Sequence, residues 1–156
     1  MELKKVHDTL NWLLAKYLED PNQASNISNC TQNQCNDLQQ IHELGQHLAE
    51  KGYVKLHEFT EEGFTCLITM LGINQVSDIF NHVKYQILEG AIERNNRSVM
   101  EILGIGPDHF KRVHDYATYL KRLGIIECIF HNNDVHAEPT FYGREWYEQN
   151  KPRFVS

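Results

Sequence analysis

The chain has 156 residues, and 41% are hydrophobic and 23% charged, a balance typical of a soluble globular protein. This length suits one domain or two small ones of about 75 residues each. No apolar run approaches the ~20 residues that a membrane-spanning helix needs, and no signal peptide opens the chain. The sequence therefore predicts no membrane partner and a cytoplasmic location, where its four cysteines stay reduced.

The net charge of −6 is unevenly distributed along the chain. Residues 1–77 carry 5 Lys and Arg against 10 Asp and Glu, whereas residues 78–156 carry 10 against 11. The two halves therefore have charges of −5 and −1. Because an acidic surface repels a polyanion, any attraction to nucleic acid must come from the second half.

Hydrophobic spacing and turn residues predict the elements of the first half. The predicted elements are a helix at 3–19, a loop with a short helix near 27–30, a helix at 37–51, and a β-hairpin of strands 53–59 and 64–69. Pro21 stops the first helix and Gly52 closes the third.

A Thr-x-x-Gly segment, Thr69 to Gly72, then opens another helix. Apolar residues continue at helical spacing as far as Asn95, which would give a helix about 30 Å long. The pair Ser77-Asp78 contains residue types that cap helices. The sequence predicts that the two halves share this long helix, and it leaves open whether the helix kinks near Ser77-Asp78.

The second half repeats the same kinds of signal. The predicted elements are a short helix at 98–103, a turn at 104–107, a helix at 108–123, a hairpin of strands 125–131 and 135–141 turning at 132–134, and a closing helix at 143–150. Pro107 and Gly124 mark the limits of the longest helix. Trp146 and Tyr147 of the closing helix are expected to pack on the core.

The two halves match at an offset of 71 or 72 residues. LAEKGYV at 48–54 matches LKRLGII at 120–126, and the Thr-x-x-Gly at 69–72 matches another at 140–143. The apolar stripes of the preceding helices also coincide: Leu38, Ile41, Leu44, Gly45 and Leu48 fall on Phe110, Val113, Tyr116, Ala117 and Leu120. A period this long exceeds that of solenoid repeats and predicts duplication of a small domain.

A helix ending at a glycine, a β-hairpin and a Thr-x-x-Gly opening another helix, in this order, resembles the winged-helix family. The resemblance implies a mainly α fold with small antiparallel β-hairpins (α+β), arranged as tandem winged-helix domains at 1–76 and 77–156. In family members that bind DNA, the third helix lies in the major groove and the hairpin touches the backbone. The resemblance thus implies a DNA-binding transcription regulator.

The outward face of the helix at 108–123 is the candidate nucleic-acid-binding site. Turning its apolar stripe inward leaves these residues facing out: Lys111, Arg112, Asp115, Thr118, Tyr119 and Arg122. Their cations and hydroxyls predict contacts to the phosphates and bases of double-stranded DNA. The alternative is an ordinary solvated helix face.

The matching helix of the first half favours a different partner. Its outward residues are Gln39, Gln40, Glu43, Gln46, His47 and Glu50, and Glu61-Glu62 lies at the hairpin tip. These carboxylates would meet phosphates unfavourably. They favour the alternative function, a non-enzymatic interaction module that binds a protein partner, as winged-helix members of chromosome-segregation and membrane-sorting complexes do.

No catalytic constellation of Ser, Cys or carboxylate residues stands out, so we expect a non-enzymatic protein without a cofactor. His42 and His47 resemble the zinc-protease helix motif, but a spacing of five sets their rings about 140° apart on a helix. Gly104-x-Gly106 follows a helix and lacks the lysine of a phosphate loop. Neither segment predicts a ligand site, and the sequence leaves the oligomeric state open.

Overall fold

The structure is a computed structural model that describes residues 2–94 and 97–154. It is mainly α with two small antiparallel sheets, which confirms the predicted fold class. Contacts within the chain divide it into two compact units, Met1–Ser77 (unit 1) and Asp78–Ser156 (unit 2).

Unit 1 combines helices with a three-stranded sheet. Its elements are α1 (Leu3–Glu19), β1 (Ser25–Asn26), α2 (Leu38–Glu50), β2 (Val54–Thr60), β3 (Gly63–Ile68) and α3 (Met70–Val76). The strands lie in the order β1-β3-β2, so β3 is central and β2 lies at an edge. The predicted helices at 3–19 and 37–51 and the predicted hairpin are confirmed.

The segment between α1 and α2 differs from its prediction. The short helix expected near 27–30 is replaced by two 3-10 turns, Ile27–Asn29 and Thr31–Asn33. The buried Asn33 side chain donates to the Ile27 carbonyl at 2.8 Å and accepts from the Cys35 N–H at 3.0 Å. Such side-chain bonds to the backbone compete with the regular bonds of an α-helix.

Unit 2 has the same order of strands in its sheet, β4-β6-β5. Its elements are α4 (Ile79–Glu93), β4 (Arg97–Ser98), α5 (Val99–Leu103), α6 (Phe110–Arg122), β5 (Ile126–His131), β6 (Asp134–Pro139) and α7 (Phe141–Phe154). The second hairpin and the helices around it are confirmed. A 3-10 turn, Pro107–His109, forms the first residues of the predicted long helix.

Ser77 and Asp78 separate α3 from α4, so the long shared helix is not formed. Ser77 is extended, with φ −149° and ψ 148°. Asp78 accepts a 2.7 Å hydrogen bond from the Asn81 amide and lies 3.4 Å from the Arg153 guanidinium. Asp78 is the N-cap residue of α4, where its carboxylate is favourable beside the positive end of the helix. Asn95, the predicted end of the long helix, lies outside the described residues.

In each unit, the threonine of the Thr-x-x-Gly motif forms hydrogen bonds that link the end of the hairpin to the end of the helix before it. Thr69 Oγ1 donates to the Gly52 carbonyl at 2.6 Å and accepts from the Gly72 N–H at 3.1 Å. Thr140 makes the same two bonds in unit 2, at 2.6 Å and 2.9 Å. The threonine therefore caps the helix that follows the hairpin, and it also bonds to the glycine just after the helix that precedes the hairpin.

The glycine of each motif allows a close approach of two backbones. A Cβ on Gly72 would collide with the Tyr53 carbonyl oxygen, and a Cβ on Gly143 would collide with that of Ile125. Both neighbours are backbone atoms and cannot rotate away. Glycine is therefore needed where the helix begins against the start of the hairpin.

The closing helix α7 packs on α4 through aromatic rings. Tyr85 stacks on Tyr147 with ring centroids 5.1 Å apart and on Phe154 at 4.8 Å. Tyr147 is buried, as predicted. Trp146 is half-buried, and Lys84 Nζ lies 4.2 Å from its ring centroid. Desolvation in this position lowers the pKa of Lys84.

Candidate nucleic-acid interface

The helix α6 lies on the sheet of unit 2 through the predicted apolar stripe. Its buried residues are Val113, Tyr116, Ala117 and Leu120, and Phe110 at its start is half-buried. The helix ends at Arg122, Leu123 is its C-cap residue, and Gly124 follows with a φ of +76° that favours glycine. The position of the stripe determines which side chains of α6 reach solvent.

Five of the six predicted site residues are only partly exposed. Arg122 is exposed, whereas the half-buried residues are Lys111, Arg112, Asp115, Thr118 and Tyr119. One flank of α6 is covered by α4, where the Tyr119 ring meets Phe80 edge to face at 5.0 Å. The predicted face thus contains a packed flank as well as an open one.

Lys111 and Asp115 form an ion pair of 2.7 Å between Nζ and Oδ2. Their side chains are 33% and 26% exposed, so the pair is shielded more than an ordinary surface pair. A phosphate that approached Lys111 would also approach the Asp115 carboxylate. This turn of α6 therefore contributes little net positive charge.

The Arg112 side chain is half-buried. Its Nε is buried and has no hydrogen-bond partner within residues 2–94 and 97–154. Burial raises the pKa of the Tyr116 phenol, and the charge of the nearby Arg112 partly offsets that effect. Of the three predicted cations, Arg122 is exposed to solvent, whereas Lys111 and Arg112 are half-buried.

Lys121 and His114 are exposed on α6 but were not among the predicted site residues. His114, Thr118 and Lys121 recur at spacings of four and three, which places them within an arc of about 60° on a helical wheel. That spacing was the signal in the sequence that could have identified them. Lys121 and Arg122 together give the end of α6 two adjacent exposed cations.

The His114 ring contacts the hairpin. Its centroid lies 4.9 Å from that of Phe130 on β5 and 5.9 Å from that of Phe110. The Thr118 hydroxyl lies 3.5 Å from His114 Nδ1. These contacts place an imidazole and a hydroxyl beside each other on the open flank of α6.

The matching surface of unit 1 is acidic. The exposed ridge of α2 consists of Gln39, Glu43, Gln46 and Glu50. Gln39 donates to Glu43 at 3.2 Å, and the hairpin tip Glu61-Glu62 is exposed. By contrast, the hairpin of unit 2 turns through the uncharged Asn132-Asn133. The two surfaces therefore offer opposite electrostatic environments to a phosphate.

An open cavity of about 410 Å³ lies in unit 1 between the end of α1 and the sheet. Its wall includes Trp12 and Lys16, with Glu19 and Asp20 beside them. Lys16 Nζ lies 4.0 Å from Glu19 Oε2, and the Asp20 carboxylate accepts from the Asn22 N–H at 3.0 Å. Two carboxylates against one cation make this cavity unfavourable for a polyanion.

The histidines and cysteines do not gather into a metal-binding cluster in the part of the chain that the structure describes. Within the described ranges, no group of three or more His, Cys, Asp or Glu side chains is arranged to hold a metal ion. His42 instead contacts Phe59, with ring centroids 4.0 Å apart. All four cysteines are free, and burial raises the pKa of each thiol, to about 12 for Cys66. A raised pKa lowers the fraction of thiolate, which is the nucleophilic form of cysteine.

Comparison of the sequence with models of protein families finds no match, and comparison with curated proteins finds no significant similarity. In the described part of the chain, no helix is both long enough and apolar enough to cross a membrane. The fold and the exposed surface of α6 are therefore the features that bear on function.

Proposed function

We propose that this chain is a tandem winged-helix protein whose second unit binds double-stranded DNA through α6, in the manner of a transcription regulator. The observation that carries the proposal is the adjacent pair of exposed cations, Lys121 and Arg122, at the end of a helix that precedes a hairpin. The matching positions of α2 are Ala49 and Glu50. Cations at this end neutralise phosphates and supply the salt-dependent part of DNA affinity.

The open flank of α6 supplies groups suited to bases. His114 and Thr118 offer donors and acceptors of hydrogen bonds, as base edges in the major groove require. Lys121 and Arg122 follow on the same flank and suit the phosphates beside the groove. In this arrangement the cations position the helix and the middle of α6 contacts the bases.

The six-residue site that the sequence indicates stays a prediction. We expect its members to contribute unequally to DNA affinity. Arg122 is exposed and contributes a full charge. Lys111 is paired with Asp115, and Arg112 and Tyr119 pack toward the protein. We therefore expect Arg122 and the added Lys121 to dominate binding, with a smaller contribution from Lys111.

Fluorescence anisotropy of a mixed-sequence DNA duplex, titrated over a range of salt concentrations, tests the proposal. We expect binding that weakens with salt, and we expect Lys121→Ala and Arg122→Ala each to reduce the slope of log affinity against log salt by roughly one unit. The matched control is Lys51→Ala, which removes an exposed cation just after α2 in unit 1.

Two outcomes would contradict DNA binding by α6. One is the absence of binding even at low salt. The other is an equal loss of binding from Lys51→Ala and from Arg122→Ala, because a non-specific polyanion effect would not distinguish the two units.

A second candidate function, contact with a protein partner through unit 1, is supported by the acidic ridge of α2. Glu43 and Glu50 are exposed, and no lysine or arginine lies between them in the sequence. Such a surface suits a basic patch on a partner. Charge reversal by Glu43→Lys with Glu50→Lys should abolish the binding of that partner, whereas Lys121→Ala should leave it unchanged.

A further inference from the structure

The strand β5 forms an open, regular edge of the sheet in unit 2. Its pairing with β6 is continuous from Ile126 opposite Pro139 to His131 opposite Asp134. In the strand order β4-β6-β5, no strand of the described residues pairs with the other side of β5. Two apolar side chains are exposed on it, Ile129 at 52% and Phe130 at 40%. An open edge with apolar side chains is a template for a further strand.

The turn fixes which backbone groups of β5 face the open edge. His131 and Asp134 flank a two-residue turn, which makes them a hydrogen-bonded pair. Backbone groups alternate along a strand, so those of His131, Ile129 and Glu127 point to β6. Those of Phe130 and Cys128 point outward and can bond a new strand.

We propose that β5 pairs antiparallel with β5 of a second copy of this chain, about a two-fold axis at Ile129. In this register Phe130 lies opposite the second copy's Cys128, and both have outward-pointing backbone groups that can exchange hydrogen bonds. Ile129 then lies opposite its own counterpart as a non-hydrogen-bonded pair. The backbone N–H and C=O groups of the two β5 strands therefore match as hydrogen-bond donors and acceptors.

The side chains on the outer face of β5 favour a second copy over an unrelated strand. With the axis at Ile129, Glu127 lies opposite the second copy's His131, and the same contact occurs twice. An acid therefore faces a base on each side of an apolar pair. A two-fold pairing requires such self-complementarity, and the sequence of β5 provides it.

The equivalent edge strand of unit 1 lacks these properties. The register of β2 against β3 shifts between Leu56 and Glu58, so the strand is irregular at His57. Lys55 and Glu58 add exposed charges on either side of this irregularity. Bulges and charges are devices that protect sheet edges from pairing. Because β2 is protected in this way and β5 is not, we expect two copies of the chain to associate through unit 2.

The proposed pairing does not require DNA and goes beyond the function proposed above. A two-fold dimer would also carry two copies of α6, as two-fold proteins do when they bind two DNA half-sites. A pair of short strands buries less than the ~1,200 Å² of a standard stable interface. We therefore expect association at micromolar concentrations rather than below them.

Sedimentation velocity over a concentration series, without DNA, tests the association. We expect a shift from monomer to dimer in the micromolar range, and Ile129→Lys, which places two lysines across the axis, should weaken it at least about tenfold. Leu56→Lys is the matched control, because Leu56 is a similarly exposed residue of β2, at 47%. A chain that stays monomeric throughout, or equal effects of the two lysines, would overturn the proposal.

The register has its own test by cross-linking. Opposed residues of a non-hydrogen-bonded pair have Cα atoms about 4.5 Å apart, within the range of a disulfide. In a Cys128→Ser background, Ile129→Cys should form a covalent dimer under mild oxidation, whereas Leu56→Cys should not. A dimer in sedimentation that fails to cross-link at position 129 would refute the axis at Ile129. Circular dichroism of each variant identifies one that fails to fold.

Discussion

Units 1 and 2 share the order of their strands and the contacts that close their hairpins, yet their exposed helix surfaces differ in charge. Thr69 and Thr140 make the same pair of hydrogen bonds, at nearly the same distances. On the surface, however, Glu50 of α2 corresponds to Arg122 of α6. A position that packs against backbone atoms accepts few residue types, whereas a position exposed to solvent accepts many. This difference in charge therefore lies on the solvent-exposed faces of the two helices.

The interiors also differ, but in compensating ways. In unit 1, Gly45 of α2 lies directly against the ring of Phe64 on β3. The matching positions of unit 2 are Ala117 on α6 and Val135 on β6, both buried. A smaller residue on the helix accompanies a larger one on the strand. Cores accept such exchanges when the total volume is preserved.

The largest predicted effect tests what the units have in common. Gly72→Ala and Gly143→Ala should each lower the free energy of unfolding of its own unit by about 2–4 kcal/mol, because the new Cβ meets a backbone carbonyl. Urea denaturation followed by tryptophan fluorescence measures this, since Trp12 lies in unit 1 and Trp146 in unit 2.

Replacing one tryptophan at a time separates the fluorescence signals of the two units. Trp146→Phe leaves Trp12 to report on unit 1, and Trp12→Phe leaves Trp146 to report on unit 2. Gly106→Ala is the matched control, because a Cβ there meets nothing within 4 Å. If the three alanines had equally small effects, the close approach of the two backbones would not limit the residue type.

The next prediction concerns the compensating interior of unit 1. Gly45→Ala should cost about 1–3 kcal/mol because its Cβ would collide with the Phe64 ring. Phe64→Val should relieve that collision, so the double variant should be more stable than the sum of the single effects by about 1 kcal/mol or more. Additive effects in this double-mutant cycle would contradict compensation.

The smallest predicted effect concerns the threonine caps. Thr69→Val and Thr140→Val keep the size of the side chain but remove both hydroxyl bonds, and should each cost about 1–2 kcal/mol. The same denaturation experiments report on both units. Thr65→Val, at a half-buried strand position, is expected to be neutral. A large difference between Thr69 and Thr140 would show that the shared geometry does not have a shared energetic role.

Local sequence signals predicted most of the elements, because their causes are local. Helical spacing and Pro21 gave α1, and the glycines after α2 and α6 marked the ends of those helices. The short strand β1 was not predicted, because a two-residue strand exists only through its pairing with β3, where Ser25 lies opposite Cys66. Such a strand has no periodicity of its own.

The buried and exposed faces of α6 were predicted in part. The apolar stripe of α6 follows from spacing, so its buried side was correct for Val113, Tyr116, Ala117 and Leu120. The exposed side depends on what covers the flanks. Contact between Tyr119 and Phe80 covers one flank, and the more exposed residues are His114, Lys121 and Arg122. A helical wheel cannot include a neighbour that lies about 40 residues away in the sequence.

By itself, the sequence determined the order of helices and hairpins, the Thr-x-x-Gly positions and the acidic character of the first half, because these depend on nearby residues and on composition. Only the tertiary structure decided the break at Ser77-Asp78, the open flank of α6 and the contrast between the irregular edge of β2 and the regular edge of β5. These features arise from contacts between distant segments, and the pattern of side chains along one segment does not specify them.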